Sequence, residues 1–273
     1  ALFSGTSMAT PVAAGGAALI YQYCTNVLGR IPSPALMKAM MVNGARMLNS
    51  MVYKHPVYVG DLTTVDQGWG MLDITRSVDG TMVFDSSEVE VLDQADTTAL
   101  NTGAEYSKQI KLTGREGGLK ITLAWTDAAG TPGNGVQLVN DLDLYVMAPG
   151  GGGYQGNLFD PDGVHSYKLP ELHSAYADPY NNVETVVIPS GLAGTYTIKV
   201  VGYGVPAGPQ DFALVIMKGI GIEGRSEGNN PDICMSADDR PVVAYSYDAS
   251  IDGSFSNLDR QVYVKKWMGG AGD

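Results

Sequence analysis

The sequence contains little of several residue types, and each shortage argues against a class of protein. It has 17 Lys and Arg residues against 29 Asp and Glu, and this net charge of −12 argues against nucleic-acid binding and for solubility or cation binding. Runs of about eighteen apolar residues are absent, so no membrane-spanning helix is predicted. The only cysteines, Cys24 and Cys234, lie far apart and give no support to a disulfide between them.

Histidine is also scarce, and the three present are His55, His165 and His173. His55 precedes a proline in a predicted loop, and His165 follows the turn signal at residues 160–163. The simplest interpretation of all three is a surface or loop position, although chain order alone does not forbid their use in catalysis.

Residues 4–11, Ser-Gly-Thr-Ser-Met-Ala-Thr-Pro, form the most informative segment. The small apolar residues that follow predict a helix starting at or just after Ser7, with Pro11 in its first turn. Ser7 would then have free helix N–H groups beside it, and these favour a developing oxyanion. Ala and Gly on all sides predict a buried helix, in which Gly15 and Gly16 allow close packing. The simpler alternative is a buried helix that Ser or Thr merely caps.

The octapeptide resembles the nucleophile segment of the subtilisin-like serine proteases (subtilases, peptidase family S8), whose pattern is Gly-Thr-Ser-Met-Ala followed closely by Pro. Residues 34–48, preceded by Ser33 as a cap, resemble the next helix of that family. Residues 67–73 resemble the Gly-x-Gly segment that closes its catalytic domain. The resemblance covers residues 1–80 and implies that Ser7 attacks a peptide bond and forms an acyl-enzyme.

In subtilases the catalytic residues occur in the order Asp, His, Ser, and only six residues precede Ser7 here. None of the three histidines lies in a Gly-rich segment of the subtilase type. We therefore expect the Asp, the His and the oxyanion-hole Asn to lie upstream of this chain. The intact parent is expected to be a secreted, extracellular serine endopeptidase, and this chain alone is expected to be inactive.

After residue 81 the sequence changes to short runs of β-forming residues separated by Gly, Pro, Asn and Asp. Seven strands are predicted, which indicates an all-β sandwich or jelly roll over residues 81–219; they are Val89–Leu92, Tyr106–Leu112, Leu119–Trp125, Asp141–Met147, Val183–Ile188, Gly194–Val201 and Phe212–Met217. The segments 123–127, 138–144, 181–184, 194–196 and 205–210 resemble the C-terminal β-sandwich of some secreted alkaline subtilases, and more broadly the P domain of proprotein convertases. The predicted fold class is thus an α/β subtilase domain remnant followed by an all-β sandwich.

Carboxylates in the predicted sandwich suggest a cation site. Asp141 and Asp143 are two apart on a strand, so both side chains lie on one face, where their charges repel unless solvated or bridged. Ca²⁺ prefers several hard oxygen ligands, and Asp127, Asn182 and Glu184 are further candidates. The resemblance implies structural calcium, whereas the alternative is a row of polar side chains facing solvent.

The last part of the sequence differs again. Residues 220–230 are rich in Gly and charge and are predicted to be a linker. Residues 231–273 contain two strand-like runs, 240–246 and 261–267, similar to one blade portion of a β-propeller repeat. A single copy lacks the neighbours that repeats need, so the alternative is a terminal hairpin docked on the sandwich.

Two functions follow from these patterns. The first is a fragment of a subtilase endopeptidase that acts on a protein or peptide substrate and needs its own upstream catalytic portion as a partner. The alternative is a non-catalytic, calcium-binding β-sandwich module that provides stability or anchors substrate. Neither function involves nucleic acid or a membrane.

Overall fold

The computed structural model describes residues 5–47, 67–78, 88–114, 118–161, 163–189 and 191–219. It also describes the backbone of residues 229–235, 241–248 and 260–266. Within the described residues, three α-helices precede the sheets; they are α1 (Thr6–Asn26), α2 (Pro34–Gly44) and α3 (Ile74–Val78). Among the described residues, no helix has the length and apolar character needed to cross a membrane.

Helix α1 confirms the predicted start but corrects three expectations. Pro11 lies inside the helix rather than in its first turn. The helix is buried only at Gly16, Ile20 and Cys24, and its first half is exposed to solvent. This happens because the helix packs along one stripe of residues spaced by four. The third correction concerns Gly15, whose missing Cβ would meet nothing within 4 Å.

Gly16, in contrast, is required by packing. A Cβ there would lie 2.6 Å from Leu72 Cδ2 and 2.8 Å from Ile74 Cδ1. Cys24 is a buried free thiol in contact with Met40, with its Sγ 3.6 Å from the sulfur of Met40.

Helix α2 has the predicted cap, since Ser33 Oγ accepts a hydrogen bond of 3.0 Å from the Leu36 amide. The helix ends at Gly44, four residues before the predicted end at residue 48. The chain then becomes extended, and an antiparallel bridge joins Arg46 to Met71. At Gly70 the bridge needs a positive φ of 95°, and a Cβ there would lie 2.3 Å from the Arg46 carbonyl oxygen.

Eight strands build two antiparallel four-stranded sheets; they are β1 (Glu88–Leu92), β2 (Glu105–Leu112), β3 (Leu119–Ala124), β4 (Asp141–Met147), β5 (Gly153–Gln155), β6 (Val183–Ile188), β7 (Gly194–Gly204) and β8 (Ala213–Lys218). The central sheet has the strand order β1-β8-β3-β6, and the outer sheet has the order β2-β7-β4-β5. All seven predicted strands are confirmed. The additional strand, β5, follows three consecutive glycines and was not predicted.

The two sheets contribute to one hydrophobic core. From the central sheet it contains Ile121, Leu123 and Ile216, and from the outer sheet Leu144 and Ile198, among others. In β7 buried and partly exposed side chains alternate, because Tyr196, Ile198 and Val200 are buried whereas Thr197 and Lys199 are partly exposed.

The central sheet is buried on its second face as well. Every residue of β3 is buried, including Lys120 and Thr122, whose side chains face away from the core shared with the outer sheet. Helix α2 covers this second face, where Leu36 and Met40 pack with Ala124 and Val215.

Polar side chains fix α2 on the central sheet. The Asn43 amide donates to the Lys120 carbonyl at 3.2 Å, to Thr122 Oγ1 at 3.1 Å and to the Val215 carbonyl at 3.3 Å. In return, Lys120 Nζ donates to the Ala45 carbonyl at 2.8 Å. The helical part and the sheets therefore form one packed unit.

A second link lies at the start of α2. The carboxylate of Asp93, just after β1, accepts from the Ser33 amide at 2.9 Å and from the Ser33 hydroxyl at 2.5 Å. Asp96 accepts from the Asp93 amide at 3.0 Å and pairs with Arg30. The hydrogen bond from the Asp93 amide, followed by the contact with Arg30, holds the pKa of Asp96 below its usual range.

A third, three-stranded antiparallel sheet lies in the last part of the chain, in the order β11-β10-β9. Its strands are β9 (Asn229–Met235), β10 (Pro241–Asp248) and β11 (Arg260–Lys266). Strands β10 and β11 confirm the two predicted runs, whereas β9 was not predicted as a strand and begins at the end of the predicted linker.

Candidate active site

Ser7 lies in the first turn of α1 and is exposed to solvent. The residue before the helix is Gly5, with φ 133° and ψ 174°, which is a conformation that glycine adopts easily. The Gly5 carbonyl accepts from the amides of Met8 at 3.1 Å and Ala9 at 3.2 Å and so starts the helix. A hydroxyl at this place is open to approach by a second molecule.

The helix start also provides positive potential near Ser7. Gly5 has no side chain, and no side-chain cap occupies the first amide groups of α1. The amide groups of Thr6 and Ser7 precede the first helical hydrogen bonds and are therefore available to an anion. Pro11 has no N–H to give to the Ser7 carbonyl, four residues before it, so this turn lacks one helical bond.

The described histidines lie in loops of the sheet region, as predicted. The backbone carbonyl of His165 accepts from the Asp160 amide at 2.7 Å, and its side chain is partly buried. His173 is exposed, and its Nδ1 accepts from the Ala175 amide at 3.1 Å. His55 lies outside the described residues. Neither described histidine has a hydrogen bond to Ser7 among the described contacts.

Two of the five predicted calcium ligands have other partners. Asp127 accepts three backbone hydrogen bonds, from Ala128 at 2.8 Å, Val139 at 2.7 Å and Asn140 at 2.8 Å, and thereby closes the loop before β4. Asn182 accepts from Lys38 Nζ at 2.8 Å and donates to the Trp125 carbonyl at 3.0 Å.

The other three, Asp141, Asp143 and Glu184, are coupled through their charges, and we call them the carboxylate cluster. Glu184 extends from β6 of the central sheet, and its Oε2 accepts from the Leu144 amide of β4 in the outer sheet at 2.6 Å. A Cβ at Gly156 would lie 2.1 Å from that same oxygen, so only glycine leaves room for it. Close packing thus holds Glu184 across the gap between the sheets.

Burial and mutual repulsion disfavour charge in the cluster. Burial, followed by the negative charges of Asp143, Asp178 and Asp127, raises the pKa of Asp141 to about 6. Burial also raises the pKa of Asp143, although a hydrogen bond of 2.8 Å from the Tyr145 hydroxyl opposes that shift. Full burial raises the pKa of Glu184 well above its ordinary value.

Each member of the cluster has one buried oxygen without a hydrogen-bond partner: Asp141 Oδ1, Asp143 Oδ1 and Glu184 Oε1. Such unpaired buried acceptors are costly and suggest a missing cation or proton. In the described part of the chain, however, no three His, Cys, Asp or Glu side chains are grouped closely enough to hold a metal ion.

Sequence reasoning missed two residues near the cluster. Tyr145 continues the spacing of Asp141 and Asp143 along β4, so the same period of two could have found it. Asp178 lies in a loop and raises the pKa of all three cluster members by its charge. No local sequence pattern relates this loop residue to β4.

The first part of the chain matches a known protein family. Residues 1–72 match the model of the subtilase family of peptidases. This match includes Ser7, both long helices and the Gly-x-Gly segment, and it confirms the resemblance inferred from the sequence.

The chain is also similar to three curated proteins of Dictyostelium discoideum. It is 28% identical over 225 residues to the serine protease/ABC transporter B family protein tagA, and this covers 78% of the chain and 12% of that protein. It is 26% identical to the tagB and tagD proteins of the same name, again over 78% of the chain and over 13% and 14% of those proteins. The chain therefore spans about an eighth of the length of these relatives.

Proposed function

Because residues 1–72 belong to the subtilase family, we propose that this chain is a C-terminal portion of a subtilisin-like serine endopeptidase with Ser7 as its nucleophile. The observation that supports the role most directly is the exposed hydroxyl of Ser7 at the uncapped start of α1. The three relatives described above, tagA, tagB and tagD, are all named serine proteases.

In the intact enzyme, Ser7 Oγ would attack the carbonyl carbon of the scissile peptide bond and form an acyl-enzyme. A histidine supplied by the upstream part would accept the Ser7 proton and later give it to the leaving amine, while an upstream aspartate would orient that histidine. The Ser7 amide and an upstream asparagine would stabilise the oxyanion, and the dipole of α1 would add to this effect.

The exposed side of α1 provides the surface on which the upstream part would pack. Met8 and Val12 are 42% and 73% exposed although they are large and apolar. Burying such side chains contributes about 1.5 to 3 kcal/mol each. The proposed assembly therefore completes both the active site and the burial of α1.

A fluorophosphonate probe tests the proposed role of Ser7. We expect the 273-residue chain alone to show neither labelling nor peptide hydrolysis, because no base activates Ser7. A longer form that includes the upstream part should be labelled at Ser7, and the variant Ser7→Ala should abolish both labelling and turnover. Labelling of the longer form at another serine would refute the assignment.

We further propose that the two four-stranded sheets constitute a β-sandwich of the jelly-roll or P-domain type that stabilises the catalytic part outside the cell. Their shared hydrophobic core and the contacts of Asn43 and Ser33 with the sheet region support this proposal. Expression without residues 88–219 should therefore yield an insoluble or unfolded catalytic part, and a soluble, active product would contradict the stabilising role.

A second candidate function is structural calcium binding by the sheet region. Calcium bound near these carboxylates would reduce the repulsion among Asp141, Asp143 and Glu184. Because the three side chains are not grouped closely enough to hold one ion together, backbone carbonyls and water would have to complete its ligands. In contrast with the ligand set predicted from sequence, Asp127 and Asn182 are left out because backbone or side-chain partners already occupy them.

Thermal unfolding with calcium or with EDTA tests this candidate. If calcium binds the folded chain, a concentration of 100 times Kd adds about 2.7 kcal/mol of stability. Asp143→Asn should remove the difference between the two conditions. The matched control, Asp127→Asn, should lower the melting temperature equally in both, since it weakens only the loop. A parent chain that melts at the same temperature with calcium and with EDTA would eliminate the candidate.

A further inference from the structure

A cleft of about 620 Å³ lies where the Gly-x-Gly segment of the subtilase-like part meets two loops of the sheet region. Trp69 comes from the first side, and Phe159, Asp160, Asp178 and Asn181 come from the second. Its volume falls within the range of sites that bind small ligands or single side chains.

Part of the cleft lining is aromatic. The rings of Trp69 and Phe159 lie 6.1 Å apart between centroids at an angle of 58°, and both side chains are only partly buried. Exposed faces of Trp and Phe attract cations through the negative potential of the ring.

The lining also contains two carboxylates, those of Asp160 and Asp178. Asp178 is held in place by the Tyr180 amide at 2.9 Å, the Asn181 amide group at 2.7 Å and the Asn157 amide group at 2.6 Å. The carboxylate of Asp160, in contrast, makes no hydrogen bond or ion pair among the described contacts, although its backbone is fixed by the loop. The described lining includes no Lys, Arg or His side chain.

Aromatic rings and a carboxylate without a hydrogen-bond partner in one cleft select for one chemical group. Arginine stacks its flat guanidinium on aromatic rings and donates paired hydrogen bonds to a carboxylate, whereas lysine offers a compact charge without stacking. An uncharged sugar could also stack on the rings, but it would leave the charge of Asp160 unpaired.

We propose that this cleft binds the arginine side chain of a peptide, with the guanidinium between the ring of Trp69 and the carboxylate of Asp160. The bound segment would be part of a protein substrate or partner. The site lies wholly within this chain and does not depend on the proposed hydrolysis, so its failure would leave the role of Ser7 unaffected.

NMR titration of the 273-residue chain with the peptide Gly-Gly-Arg-Gly-Gly tests the proposal. The chain has 3 tryptophans, and the indole N–H signal of Trp69 is the one that is missing in the variant Trp69→Phe. This signal should shift as peptide is added to the parent chain. The signal of Trp125, which is 1% exposed, should stay fixed. The same peptide with citrulline in place of arginine keeps the shape but loses the charge, and it should bind about tenfold more weakly.

Variants test the contributions of the carboxylate and of the aromatic ring to binding separately. Asp160→Asn should weaken binding about three- to fivefold at low salt, and added salt should reduce this difference. The matched control is Glu105→Gln on β2, at the opposite edge of the outer sheet from β5, and it should leave affinity unchanged. Trp69→Leu should weaken binding at least tenfold, whereas Trp69→Phe should retain most of it.

Three results would overturn the proposal. The first is equal binding of the arginine and citrulline peptides, which would show that charge is not recognised. The second is an unchanged affinity in Asp160→Asn. The third is a larger shift of the Trp69 signal with maltose than with the arginine peptide, which would identify an aromatic sugar site instead.

Discussion

The central and outer sheets have the same number of strands and share one core, yet they differ in what covers their second face. In the central sheet, β3 is buried at all six positions and β8 at five of six. In the outer sheet, buried and partly exposed residues alternate along β7. A helix from the subtilase-like part therefore converts the central sheet into the middle layer of the molecule.

This difference shows that the helical part and the sheet region are packed against each other and are not independent domains. The covered face of the central sheet carries polar groups, Lys120 and Thr122, whose partners are in α2 and the residue after it. A buried polar group is tolerated only when it is hydrogen-bonded, so these contacts also define where the helix lies. The first three of the following predictions pair a change in the central sheet, or in the helix that covers it, with a control change in the outer sheet, and the fourth removes an ion pair between the two sheets.

The largest effect is expected from a charge on the covered face. Val215→Lys places an ammonium group among Leu36, Met40 and Ala124, and it should cost at least about 4 kcal/mol of unfolding free energy. Thr197→Lys, on the partly exposed face of β7, should change stability by about 0.5 kcal/mol or less. Urea denaturation measures both, and equal losses would mean that the two faces are equally covered.

Removal of the Asn43 side chain should have the next largest effect. Asn43→Ala deletes one buried amide with three acceptors and leaves a small cavity, so a loss of about 2 to 4 kcal/mol is expected. Lys199→Ala in the outer sheet removes only an exposed ion pair with Glu105 and should cost less than about 1 kcal/mol. A double-mutant cycle of Asn43→Ala with Thr122→Val should give a clear coupling energy, and strict additivity would contradict the proposed contact.

A methyl group at Gly44 tests the closeness of the helical layer. A Cβ there would lie 2.1 Å from Ser77 Oγ and 2.4 Å from the Ser77 amide nitrogen, so α3 must move away from α2. Gly44→Ala should cost about 1 to 3 kcal/mol by overpacking. In Gly204→Ala, on β7, the nearest atom is 4.0 Å away, so no steric loss is expected. Thermal unfolding of both variants distinguishes the two cases.

The smallest effect concerns the ion pair that joins the two sheets. Lys108 on β2 lies 2.7 Å from Glu90 on β1, and the hydrogen bond to Glu90 raises the pKa of Lys108 above 10.5. A raised lysine pKa gives stability that is present below the unfolded-state pKa and is lost as pH rises through the folded-state pKa. Lys108→Met should therefore reduce the decrease in unfolding free energy that occurs above about pH 10, and the difference should be less than about 1 kcal/mol. An unchanged alkaline profile in guanidinium denaturation would show that the pair contributes nothing.

The sequence was sufficient to predict the strands but not to predict what covers their faces. Turn residues and alternation placed β4 and β6 at their observed bounds because those signals are local. The burial of Lys120 was not predictable in the same way, since its covering partner, Ala45, is 75 residues away in the chain. A polar residue inside an apolar run looks the same whether water or a helix covers it.

The candidate site shows a similar division. The short motif around Ser7 predicted the helix start. Pro11 was predicted in the first turn but lies further inside the helix, because its place in the helix depends on where hydrogen bonding begins. Asp127 was predicted as a metal ligand, but it accepts amides 12 and 13 residues further along, which only the folded loop brings near. The pairing of Glu184 with β4 likewise depends on the contact between the two sheets.

The strand order of the central sheet has a consequence for synthesis of the protein. Its first strand pairs with its last, with Val89 opposite Met217, so the sheet is completed only after about 130 further residues have left the ribosome. Until then the apolar side of α2 has no sheet to cover it, and the nascent chain carries that surface exposed. Such distant pairing slows folding, and a chaperone bound near α2 during translation would have most to protect.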